Sequence, residues 1–128
     1  MFKKICFFSF LVFSSLTYAE ICPTVESIQN NSFAGWQALN IDSGTAAQPS
    51  QLENFKSHVR HFSLAEWMKD APEGSSHCYY QGEDTDTRFL GIFLARNNLM
   101  PGQGSWKKMS DGIYQCKADI YDCLFHYS

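Results

Sequence analysis

Several features are missing from this 128-residue chain, and each absence narrows what it can do. No apolar run of spanning length follows the first nineteen residues, and a transmembrane helix needs about 20 such residues. No Lys/Arg cluster exceeds the pair Lys107-Lys108, which argues against a phosphate-tracking surface and against nucleic acid as a partner. Close cysteine pairs of the C-x-x-C type, which zinc and redox sites both want, do not occur. The G-x-S-x-G turn of a serine hydrolase and the H-E-x-x-H helix of a metalloprotease are missing too. The sequence therefore assigns no catalytic residue, no metal ligand and no cofactor.

What is there begins with an address. Lys3 and Lys4 form a short basic region, and an apolar, Phe-rich run follows from Ile5 to about Leu16. Thr17-Tyr18-Ala19 supplies small residues where a signal peptidase reads them, so cleavage is expected between Ala19 and Glu20. Residues 1–19 read as a signal peptide and residues 20–128 as one small secreted or periplasmic domain. Loss of Lys3 and Lys4 leaves eight basic against thirteen acidic residues, a mature net charge of −5. The residues before Cys22 (Ala19-Glu20-Ile21) do not form the small-residue motif of a lipid anchor.

Cysteine usage fits the same compartment. Cys6 leaves with the signal, and the remaining Cys22, Cys78, Cys116 and Cys123 are even in number. Four cysteines allow three pairings. Cys22–Cys78 with Cys116–Cys123 is preferred, because the second pair brackets a short, turn-like segment; Cys78–Cys116 across neighbouring strands is the rival. Each bridge should add about 2–4 kcal/mol, a large share of a small domain's stability.

Local patterns give an α+β, mostly β, domain. Cys22 to Ile28 suits a short N-terminal helix, with Pro23 in the first turn and Glu26 near the positive end of its dipole. Phe33 to Leu39 reads as a strand, and Ser43 to Ser50 as a loop. Gln51 to Met68 is ambiguous: Leu52, Phe55, Val59 and Phe62 fit helical spacing, while the second half, Val59 to Trp67, leans toward a strand. A turn at residues 70–74 and a β-prone Cys78-Tyr79-Tyr80 follow, then an acidic turn from Gln81 to Thr87. Phe89 to Ala95 suits a central strand buried on both faces. Asn97 to Ser105 reads as loop, and Trp106–Met109 with Ile113–Lys117 as a hairpin around Ser110-Asp111-Gly112. Cys123-Leu124-Phe125 ends the chain as a strand. The expected architecture is one twisted antiparallel sheet with one or two helices against it, stapled by two disulfides.

These features recur in a recognisable order: Cys22-Pro23, Phe62-x-x-Ala65-x-Trp67, Cys78-Tyr79-Tyr80, the strand around Leu90 to Leu94, Trp106, Asp111-Gly112-x-Tyr114-x-Cys116, and Cys123-Leu124-Phe125. The chain resembles a family of small secreted bacterial proteins known only as domain of unknown function 3757. The resemblance implies a bacterial exported protein and carries no catalytic residues to transfer.

Four constellations compete as functional candidates. His58-x-x-His61 has metal-like spacing if both lie on one helix; on a strand the rings would face opposite ways. Glu83-Asp84-x-Asp86, with Arg88 close behind, could hold calcium but lacks the later glycine and glutamate of a full loop, so a solvated turn is the plainer reading. Ser75-Ser76-His77 places hydroxyls beside an imidazole in sequence, which does not establish a nucleophile–base geometry. Trp36, Trp67 and Trp106 read as core, with Trp106, beside a Gly-rich segment, the candidate binding residue for a protein or glycan. The expected function is a non-enzymatic binding module for a protein or envelope partner, in one form an inhibitor of a cationic hydrolase such as lysozyme. The alternative is a small hydrolase acting on cell-wall or glycan substrates, which requires His58, His61 or His77 to meet Asp or Glu in a cleft.

Overall fold

The more buried strands gather β-branched or aromatic residues, and both helices begin at capping residues. In the computed structural model, residues 19–83 and 89–128 are described. The predicted leader, apart from Ala19, lies outside them, as do Asp84, Asp86 and Arg88. In chain order the elements are β1 (Ala19–Glu20), α1 (Val25–Gln29), β2 (Gln37–Asn40), α2 (Pro49–His58), β3 (His61–Met68) and β4 (Ser76–Gln81). Then come β5 (Ile92–Arg96), β6 (Leu99–Gly104), β7 (Lys107–Ser110), β8 (Ile113–Cys116), a 3-10 turn (Ile120–Asp122) and β9 (Cys123–Tyr127). The expected fold class holds: a small, mostly β domain with two helices, antiparallel sheets and disulfides Cys22–Cys78 and Cys116–Cys123.

The strands divide into two sheets rather than one. The larger has the order β2-β5-β4-β3-β8-β7, the smaller β1-β9-β6, and every pairing is antiparallel. Two tryptophans tie them together. Trp67 on β3 donates its indole N–H to the Leu99 carbonyl of β6 at 2.9 Å, and Trp106 donates to the Leu124 carbonyl of β9 at 2.8 Å. Each such bond, half-buried, contributes about 1 kcal/mol.

Both helices start at recognisable caps. Thr24 Oγ1 accepts the Ser27 N–H at 3.1 Å, and Glu26 sits in the first turn of α1, favourable to the helix dipole. Pro23 precedes this cap instead of lying in the first turn, and its carbonyl accepts the buried Tyr80 hydroxyl. Pro49 opens α2, where Gln51 Oε1 accepts the Gln48 N–H at 2.8 Å. The ambiguous stretch thus splits: helix to His58, an extended Val59, then β3.

Three strand and loop expectations need correction. The strand predicted over Phe33–Leu39 begins only at Gln37, because Gly35 takes φ +93° and turns the chain beneath Arg96. The loop predicted over Asn97–Ser105 contains β6 despite Pro101, Gly102 and Gly104. β6 is an edge strand, where a missing N–H is tolerated, and its register shifts between Pro101 and Gly104 against β9. The predicted Phe89–Ala95 strand is shorter, Ile92–Arg96, with Phe89 in an isolated bridge to Gln81. It is central and buried as expected, lying between β2 and β4 with Ile92 to Ala95 all buried.

The core lies between the helices, the small sheet and one face of the large sheet, and Tyr80 is fully buried within it. Its ring meets Phe55 and Phe62 edge-on at 5.9 and 6.0 Å. The opposite face of the large sheet carries a second, smaller cluster of Leu39, Phe93 and Ala95 with Tyr79 against it. That second face positions the candidate site.

Candidate functional site

Strand register explains the site. Glu66 on β3 lies directly opposite His77 on β4 and Gln115 on β8, so the three side chains share one face. Tyr79, two residues beyond His77, returns to that face. Adjacent Ser76 points the other way and is fully buried, its hydroxyl without a hydrogen-bond partner among the described residues. The sequence neighbours Ser76 and His77 are thereby separated by the sheet itself and form no nucleophile–base pair.

The polar groups satisfy one another. His77 is only 3% exposed. Its Nε2 lies 2.7 Å from the Gly74 carbonyl, which can only accept, so Nε2 carries a proton. Nδ1 stands 3.3 Å from the Tyr79 hydroxyl and 3.8 Å from Glu66 Oε1. The Tyr79 hydroxyl is also 3.3 Å from Glu66 Oε1, while Gln115 Nε2 donates to Glu66 Oε2 at 2.8 Å. Glu73, on the β3–β4 turn, places Oε1 4.0 Å from His77 Nε2.

These surroundings push the two acids apart. His77 does most to hold the Glu66 carboxyl below the usual carboxylate range; burial opposes it, and the donors Gln115 and Tyr79 add to the lowering. Burial, then the negative charge of Glu66, pushes the Tyr79 phenol well above its ordinary value. Glu66 is accordingly a fixed negative charge at neutral pH and Tyr79 a fixed hydroxyl.

An aromatic stack flanks this cluster. Tyr79 lies face to face with Phe93 (5.3 Å, 19°) on one side and with Phe89 (5.0 Å, 28°) on the other. His77 packs against Phe93 at 4.9 Å. Beside the cluster an open cleft of about 660 Å³ lies between the β3–β4 and β7–β8 turns. Its lining joins buried His77 to exposed Lys69, Asp70 and Asp111 and half-buried Glu73.

The other candidates fall elsewhere. His58 is the last residue of α2 and His61 the first of β3, so the shared helical face their spacing required does not form. His58 Nδ1 lies 2.8 Å from the Asn54 carbonyl. Among the described residues no group of three His, Cys, Asp or Glu side chains gathers to hold a metal. Glu83 Oε1 stands 3.9 Å from Arg60 Nε, and its companions Asp84 and Asp86 lie outside the described residues. Trp106 is half-buried, its ring edge-on to Phe125 at 5.0 Å and its N–H spent on the Leu124 carbonyl. All four predicted disulfide cysteines, Cys22, Cys78, Cys116 and Cys123, are fully buried and paired.

Glu66, Tyr79 and Gln115 escape the sequence reading. One signal for Glu66 is legible: a lone carboxylate inside the otherwise apolar run Phe62 to Met68. Compared with family models, with curated proteins and with solved structures, the chain finds no match. No helix among the described residues is long and apolar enough to cross a membrane.

Proposed function

We propose that the protein is an exported, non-enzymatic binding module for a protein or envelope partner. The observation that carries this reading is the closed state of the Glu66–His77–Tyr79 cluster. Its imidazole is buried and bonded to its own turn, its carboxylate is held ionised and its phenol held protonated. Such a cluster spends its polar groups on one another and stiffens the sheet. Two buried disulfides suit an oxidising compartment, in keeping with the leader-like N-terminus and with the resemblance to the secreted family. The net charge of −5 after leader removal favours a basic partner, because opposite charge speeds encounter and disfavours acidic competitors.

The test is binding of the purified, disulfide-intact protein to a basic hydrolase, with lysozyme as the first probe. Saturable binding that weakens as salt is raised supports the reading, and undiminished lysozyme activity at saturating protein removes the inhibitor form of it.

One observation favours the hydrolase alternative: His77 does meet Glu66 and Glu73, and it lines a cleft. Turnover of peptidoglycan or chromogenic glycosides, abolished by Glu73→Gln or Glu66→Gln in a folded variant, would establish that alternative. Equal turnover by the variants and wild type would dismiss it.

A further inference from the structure

The disulfide Cys116–Cys123 closes a six-residue loop whose conformation is over-determined. Both cysteines are fully buried, and Ala118 and Ile120 pack onto the core. Asp119 Oδ1 accepts the Tyr121 N–H at 2.9 Å, and the Asp119 carbonyl accepts the Asp122 N–H at 2.8 Å, fixing the 3-10 turn. The Asp122 carbonyl accepts the Ser105 N–H at 2.8 Å, which binds the loop to the β6–β7 connection. From this rigid base Tyr121 projects 64% exposed, further than Met109 (53%), Tyr127 (47%) or Phe89 (43%).

Two of those rivals are already engaged within the fold: Tyr127 lies 5.8 Å from the Arg96 guanidinium, and Phe89 stacks on Tyr79. Tyr121 is different. A tyrosine offers a large amphipathic ring at the entropy of two torsions, and a preformed loop removes the ordering cost that limits most loop contacts. The exposed carboxylates of Asp119 and Asp122 flank it, against the single ammonium of Lys117.

We propose that residues 117–122 form the docking element of this protein, with Tyr121 entering an apolar pocket whose rim is basic on a protein partner. This rests on the binding-module reading and names the surface it uses. The flanking acids confer sign selectivity, and the ring supplies most of the affinity, as buried aromatic anchors at interface centres do.

The experiment is site-specific photocross-linking in the exporting cell. The full chain carries a benzoylphenylalanine in place of Tyr121 or, in separate variants, of Phe89 or Met109. An adduct formed from position 121 with a protein of isoelectric point above about 9 is the expected result. In the purified pair, Tyr121→Ser should then weaken binding at least about 30-fold. Tyr121→Phe should stay near wild type, and Asp119→Asn with Asp122→Asn should flatten the salt dependence. Adducts from position 89 or 109 but not 121, or an acidic partner, overturn the docking element and leave the binding-module reading standing. No adduct from any of the three positions overturns both.

Discussion

Removing the two disulfides one at a time should cost unequal amounts of stability, and the structure fixes the order. Cys22–Cys78 spans a separation of 56 residues and Cys116–Cys123 a separation of 7. In the chain-entropy account, closing the longer loop restricts the unfolded chain by about 4.2 kcal/mol at 25 °C and the shorter by about 2.4 kcal/mol. All four cysteines are fully buried, so replacing either pair with alanines leaves similar voids, and the packing losses largely cancel in the comparison. Urea unfolding of Cys22→Ala/Cys78→Ala and Cys116→Ala/Cys123→Ala, followed by tryptophan fluorescence, reads the difference directly. The first variant should be less stable than the second by roughly 1.8 kcal/mol, with a larger m-value because its unfolded chain is free to expand. Equal stabilities, or the reverse order, would refute the reasoning. The 116–123 bridge would then have to act through the folded loop it closes.

Three further outcomes follow from particular contacts. Because the folded Glu66 carboxyl lies below its unfolded value, it adds stability above about pH 4.5 that is lost as pH falls through the folded value; Glu66→Gln should flatten that acid limb in pH-dependent urea unfolding. At Gly104, with φ +123°, an added Cβ would lie 1.9 Å from the Asp122 carbonyl oxygen, so Gly104→Ala should cost more than about 2 kcal/mol and loosen β6 from β9, read as faster amide exchange at Leu99 and Phe125. Ser76 buries a hydroxyl with no partner among the described residues, so Ser76→Ala should leave thermal stability unchanged or raise it by up to about 1 kcal/mol, where a comparable loss would mean that the hydroxyl does find a partner.

Much of the fold was legible because it depends on local chemistry. The turn at Ser110-Asp111-Gly112, the paired spacing of Cys116 and Cys123, and the apolar run into Ala95 each determine their own neighbourhood. β6 was not legible. Pro101, Gly102 and Gly104 are loop residues by any local measure, and only the approach of β9, together with the indole of Trp67 on the Leu99 carbonyl, makes them a strand. Phe33 to Trp36 failed for the opposite reason: the apolar pattern is there, but Gly35 bends the chain where Arg96 packs against it.

The candidate site was legible only in part. His77 is conspicuous in the sequence beside Ser75 and Ser76, of which strand alternation places the adjacent Ser76 on the other face, while Glu66 and Gln115 come from residues 11 and 38 positions away through pairing that no local pattern encodes. Trp106 reads in the sequence as the candidate binding residue, and in the fold its N–H goes to the Leu124 carbonyl and its ring edge to Phe125. The exposed aromatic on a constrained loop is Tyr121, whose signal was the short spacing between the cysteines on either side of it.

The account turns on whether the acid, imidazole and phenol facing one another on the large sheet are closed to chemistry. A carbon-13 NMR titration of the Glu66 carboxylate in the intact protein tests this most directly. The account predicts that Glu66 stays ionised as pH falls, protonating only below about 4.5. A carboxyl that titrates between about pH 5 and 7, where a general acid operates, would contradict it and restore the hydrolase.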